Sequence, residues 1–275
     1  MIFVHSVWED FCRKLHTLNV HSIPACEVAS TTGPYLVLKH DVETNVQSAY
    51  KMAMIEKTYG HRGSYYVHAY LLEGTKNVAL LKKMQQMGHE ISYHYDVMDS
   101  CKGNLEDAIA EFEHNRLLFE AHGFPVVTVC QHGNPVVERV GYHSNRDFFR
   151  SKQVRTLYPG VSDIMVNYKE VMQTDYLYFS DAGRRFHLIY DPVNNDIVNS
   201  EDRNISFDDL DAMYEHIGRE SAIISVHPHR WTARTVQYHV RTAIFKLVRK
   251  VAKLLIKVPV IKKIISRYYY LAKKI

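Results

Sequence analysis

Tyr35-Leu36-Val37-Leu38-Lys39-His40-Asp41-Val42-Glu43 is an apolar run that ends in a histidine and two carboxylates. It is read as a buried strand with chemistry at its carboxyl end. Pro34 precedes it, and Thr44 with Gln47 three residues on forms a capping box that predicts a helix directly afterwards. Strand, acidic mouth and immediate helix make one βα unit of an α/β enzyme, in which sites gather where strands end. A helix cap needs only one of Thr44 or Asp41, which leaves His40 and Glu43 for another purpose. Asp41 and Glu43 are two apart on an extended segment, so both carboxylates project to the same side.

The same pattern recurs along the chain. Residues 8–19 predict a helix, and residues 44–59 another, with Ala49, Met52, Ala53, Ile55 and Tyr59 as its apolar face and Gly60 as its stop. Residues 63–70 predict a strand, 76–87 a helix, and 89–97 a strand that again ends in potential ligands. Residues 104–122 predict an amphipathic helix with Asn104 and Asp107 in capping positions, and residues 125–133 a strand with His132 at its far end. Residues 134–175 read as polar loop with one short strand near 164–166, and 176–183 as a strand and turn. Ser206 and Asp209 open a helix to 217, and residues 222–229 form the last strand. At least six strand-like runs alternating with helices predict a mostly parallel sheet or barrel with its site on one face.

Composition agrees with an ordinary globular chain, since 46% apolar residues among 275 can build a substantial core. The opening residues show no export signal, which predicts a cytoplasmic protein. Cys12, Cys26, Cys101 and Cys130 lack C-x-x-C spacing, so reduced thiols are expected rather than disulfides or a thiolate zinc site. Six of the 17 histidines, at 40, 89, 94, 132, 227 and 229, fall at predicted strand ends.

Four ordered stretches, His40-Asp41-Val42-Glu43, Gly88-His89-Glu90-Ile91-Ser92-Tyr93-His94-Tyr95-Asp96, His132-Gly133-Asn134-Pro135 and Val226-His227-Pro228-His229-Arg230-Trp231, resemble the motifs of the polysaccharide deacetylase (NodB-homology) superfamily. The Ser180-Asp181-Ala182-Gly183-Arg184-Arg185 turn is similar to a further segment of its divergent branch. The resemblance spans roughly residues 35–231. It implies a distorted (β/α) barrel of about seven parallel strands and metal-dependent removal of an N-acetyl group from an amino sugar. It further implies Asp41 as general base, His227 as general acid, Glu43 and His94 as ligands of a divalent metal of the Zn2+ kind, and Asp96, His132 or Asp41 as the third ligand. His132, Asp181, Arg184, His229 and Trp231 are expected to hold the sugar, and His89 to be structural. The chemistry is coherent. A Lewis-acidic ion makes hydroxide available near neutral pH, and an amine leaves poorly unless an acid protonates it. Two departures stand out: Glu43 replaces an aspartate, and Met98 stands where the family's second metal-binding histidine is expected, four residues after His94.

The net charge of +4 conceals an asymmetry. Residues 241–275 hold eleven Lys or Arg and no Asp or Glu, leaving 23 basic against 30 acidic groups in the rest. Apolar positions 244, 247, 248, 251, 254, 255 and 258 alternate with cations at helical spacing, too short an apolar run to span a bilayer. The expected division is therefore a barrel domain, 1–235, and a basic amphipathic tail, 236–275, lying on an anionic membrane surface at the cytoplasmic face. No nucleic-acid recognition fold is evident. The expected activity is deacetylation of an N-acetylated glycan, in particular a lipid-linked precursor. The alternatives are a degenerate sugar-binding relative or an amidohydrolase acting on a small C–N substrate.

Overall fold

The structure, a computed structural model, describes residues 2–134, 137–181, 186–189, 203–204 and 220–255. Its strands are β1 (Leu36–Val42), β2 (Gly63–Val67), β3 (Glu90–Tyr95), β4 (Thr128–Gln131), β5 (Ser162–Asp163), β6 (Leu177–Ser180), β7 (His187–Ile189), β8 (Arg203–Asn204) and β9 (Ala222–Val226). Among the described residues the helices are α1 (His5–Thr17), α2 (Val46–Thr58), α3 (Thr75–Gln86), α4 (Val97–Ser100), α5 (Leu105–Ala121), α6 (Asp147–Arg150), α7 (Lys152–Leu157), α8 (Tyr168–Met172) and a long basic helix, Thr235–Leu255. The strands form one sheet in the order β5-β4-β3-β2-β1-β9-β6-β7-β8. From β5 to β6 all pairings are parallel, and β7 and β8 add an antiparallel edge.

Every residue of β1, β2, β3 and β9 is buried, as expected of parallel strands covered on both faces. The sheet is curled into a half-barrel. Cys130 of β4 and Tyr178 of β6 belong to one core cluster with Val37, Tyr66 and Ile223, although four strands separate β4 from β6 in the sheet order. Successive side chains along a strand point to opposite faces, so β1 sends Val37, Lys39 and Asp41 inward and Leu36, Leu38 and His40 outward.

Residues 134–175 also contain α6, α7 and α8, three short helices beyond the loop expected there, and the short strand expected near 164–166 falls instead at Ser162–Asp163. The cap of α2 is a correction: Asn45, not Thr44, accepts the Ser48 N–H at 3.0 Å, and the helix starts at Val46. The Asn104 cap of α5 is as expected, its side chain accepting from the Glu106 and Asp107 amides. The helix expected at 206–217 lies outside the described residues.

On the outer face, α2 delivers Glu56 into the gap between α1 and the sheet. Its carboxylate accepts from Trp8 Nε1 at 3.0 Å and Tyr65 Oη at 2.8 Å, and lies 2.8 Å from His40 Nε2 and 3.7 Å from His89 Nδ1. Burial alone would raise this carboxyl's pKa, but His40 beside it holds the value below normal. His89 is anchored further through Gly63 N and Ala53 O, which makes it structural as expected. Two of the six strand-end histidines are thus fold determinants. Glu56→Ala strands several buried donors and should destabilise the protein by about 3–5 kcal/mol. Urea denaturation checks this, and a loss under about 1 kcal/mol would show that the cluster is dispensable.

Candidate metal and acid–base site

Strand register assembles the inner-face residues. Val42 pairs with Val67 and Val67 with Tyr93, so Glu43, His68 and His94 follow at the carboxyl edge of three neighbouring strands. His132 arrives just past β4, and His227 just past β9. These side chains meet at one mouth of the half-barrel. His68, His94 and His132 are all buried, with ligand atoms within 4.8 Å of one another, and a second group, Asp41, His94 and Cys130, meets the same criterion. Buried His, Asp and Cys side chains could therefore hold a metal ion here.

The imidazole set fits a divalent metal better. His94 donates Nδ1–H to the Cys130 carbonyl at 3.0 Å, which fixes the tautomer and leaves the Nε2 lone pair facing His132, 3.2 Å away. Burial lowers the His94 pKa to about 3, so no proton competes for it near neutrality. The Cys130 thiol is pushed well above its normal pKa by burial and by Asp41, which opposes formation of a thiolate ligand.

His132 is held from behind. Asn145 donates to its carbonyl at 2.8 Å and to Asp99 Oδ2 at 2.9 Å, while Arg139 donates two 2.8 Å bonds to the same Asp99 carboxylate.

Asp41 has an unforeseen partner in Lys39, which is also fully buried and directed inward. Lys39 Nζ reaches both Asp41 oxygens, at 2.6 and 2.7 Å, and Ser225 Oγ at 3.1 Å. Burial opposes both charges, but their mutual attraction prevails: Asp41 titrates well below the usual carboxylate range and Lys39 above the usual amine value. His227 Nε2 lies 3.6 Å from Asp41 Oδ2 and 3.8 Å from Glu43 Oε1, so the two carboxylates do share a side. Glu43 Oε1 is also 3.4 Å from His132 Nδ1, which places it between the imidazole cluster and His227.

Asp181 saturates the far side of His227. It accepts Nδ1–H at 2.5 Å and the His227 amide at 3.0 Å, together with Arg230 Nη1 at 2.9 Å and Trp231 Nε1 at 3.3 Å. Burial would raise this carboxyl, but His227, Arg230 and these hydrogen bonds hold it at about 2. His227 therefore presents Nε2 to the mouth. His229 lies beside it, rings 5.9 Å apart, with Nδ1 buried and without a hydrogen-bond partner among the described residues.

Several expected roles change. Asp181 is fully buried and occupied by His227, Arg230 and Trp231, so it positions His227 rather than holding sugar. Trp231 is 2% exposed, its ring packed at 5.2–5.3 Å from Phe3 and Trp8, which leaves no face for stacking. Asp96 starts α4 and belongs to neither donor cluster among the described residues. Glu43 borders the imidazoles without belonging to either cluster. Met98 is buried in the core, and the third imidazole comes instead from His68. His68 follows β2 directly, so the strand-end rule that singled out His94 and His132 also points to it. Arg184 lies outside the described residues. A separate cavity of about 560 Å³ sits at the opposite, amino-terminal ends of the strands, near Tyr35, Leu177 and Ser221, away from this chemistry.

Comparison of the chain with protein-family models, with curated proteins and with solved structures finds no match.

Two outcomes test the electrostatics. Lys39→Met leaves Asp41 buried without its lysine and should cost about 3–5 kcal/mol in urea denaturation, whereas Lys39→Met/Asp41→Asn recovers most of that loss. Equal losses in both variants would contradict the pairing. Asp181 titrates lower when folded than its ordinary 3.8, so its contribution is complete above pH 3.8 and is lost as pH falls through about 2. That contribution is about 2 kcal/mol, and Asp181→Asn should flatten this part of the acid limb of stability against pH.

Proposed function

We propose that the chain is a metal-dependent hydrolase of carbon–nitrogen bonds that removes the N-acetyl group of an amino sugar. The observation that carries this is the facing arrangement of three buried imidazoles and an oriented Asp181–His227 pair across Asp41 and Glu43. The motif resemblance to polysaccharide deacetylases and the seven parallel strands of the curled sheet point the same way. The proposed fold is accordingly the distorted barrel of that family.

His68, His94 and His132 would hold a zinc-like ion, which when bound supplies Lewis acidity to the amide carbonyl and to water. The remaining roles belong to the chain. Asp41, kept ionised by Lys39, accepts the proton of the attacking water. His227, with Nδ1–H fixed on Asp181, donates from Nε2 to the departing amine. Glu43 faces both His132 and His227, and the unpartnered Nδ1 of His229 is available to a sugar hydroxyl.

A second reading is a sugar-binding relative without activity, which the double Lys39 contact favours because it weakens Asp41 as a proton acceptor. Metal analysis and acetate release separate the two. The purified protein should carry about one equivalent of divalent metal and release acetate from chitooligosaccharides or lipid-linked N-acetylglucosamine. His94→Ala and His68→Ala should lose metal and activity together, and His227→Ala should keep the metal while kcat falls about 10²–10⁴-fold. Metal and sugar binding without acetate release would favour the second reading, and unchanged turnover in His94→Ala would overturn the first.

A further inference from the structure

The helix Thr235–Leu255 begins eight residues after His227 and contains no Asp or Glu. Its root is fixed to the body. Tyr238 is 6% exposed and meets the Phe3 ring edge-on at 6.1 Å. Val236, Val240, Ile244, Leu247 and Val251 recur at three- and four-residue spacing and so form one stripe along the helix. At about 100° per residue, Tyr238 sits about 160° around the helix from the middle of that stripe. Docking the root thus turns the stripe outward, and these side chains are 42–73% exposed. The amphipathic helix does not spend its apolar face on the barrel.

We propose that this helix is an interfacial anchor whose stripe sinks into the headgroup–acyl boundary of an anionic bilayer while its cations meet lipid phosphates. Lys246 and Lys250 project on one flank of the stripe and Arg241 on the other, and residues 241–275 supply eleven Lys or Arg with no Asp or Glu. Charge therefore selects an anionic partner, and the apolar stripe selects a lipid surface over nucleic acid. Pairing with a second copy along the stripe would bring like charges together, with no acidic residue on either helix to offset them. No described helix is long and apolar enough to cross a membrane. The proposal stands apart from the hydrolase reading and adds to it a surface at which a lipid-linked substrate would meet the site.

Sedimentation of the full chain with vesicles tests it. Binding is expected to phosphatidylcholine–phosphatidylglycerol vesicles and not to phosphatidylcholine alone. Leu247→Glu/Val251→Glu should lower the bound fraction at least about tenfold with an unchanged melting temperature, because both side chains are exposed. Lys246→Glu/Lys250→Glu should weaken binding by at least about fivefold for each charge removed. Failure of the wild type to sediment with anionic vesicles would overturn the proposal, whether or not the chain self-associates. So would equal binding by the Leu247→Glu/Val251→Glu variant, or a fall in its melting temperature that shows the stripe covered within the chain.

Discussion

A buried lysine beneath a strand-end carboxylate is the interaction on which the site depends. Lys39 and Asp41 lie on the inner face of the central strand, both buried, so each charge is stabilised chiefly by the other. The interior around them is correspondingly polar. Ser225 takes a third Lys39 contact, and deeper in the half-barrel Ser64 and Thr128 each donate a 2.6 Å bond to Glu90. Such a column is costly unless every member is paired, and the pairing fixes the height at which Asp41 meets His227.

Above that pair, three of the histidines are oriented by neighbouring groups. The Cys130 carbonyl sets the tautomer of His94, Asn145 and Asp99 hold the segment that carries His132, and Asp181 holds His227. Arg230 and Trp231, which come from the same short stretch as His227, fix Asp181 in turn. These supports combine a backbone carbonyl with buried and part-buried side chains.

Much of this was legible in the sequence because the signals were local. An apolar run ending in Asp41 and Glu43, and histidines at the ends of later runs, point to a parallel α/β sheet and to the edge where the candidate site lies. The period-two rule placed both carboxylates on one side, and they do meet His227 together. Applied to His40, the same rule sends it to the other face, where Glu56 waits. What escaped was non-local. Glu56 comes from a helix, Asp181 from a strand on the far side of β9, and neither contact leaves a spacing signal. Trp231 looked suited to stacking because its burial against Trp8 and Phe3 depends on the packing of the chain's first helix. His68 fulfils the strand-end rule as well as His94 does, but no motif surrounds it.

A metal site here requires the three imidazoles to act as one donor set. The most direct test is an anomalous-difference map at the zinc absorption edge from crystals of the zinc-loaded protein. A single peak about 2.0–2.1 Å from one nitrogen each of His68, His94 and His132 is the predicted result. A map without that peak, or with the metal seated on Asp41 and Cys130 and away from His68, would contradict it.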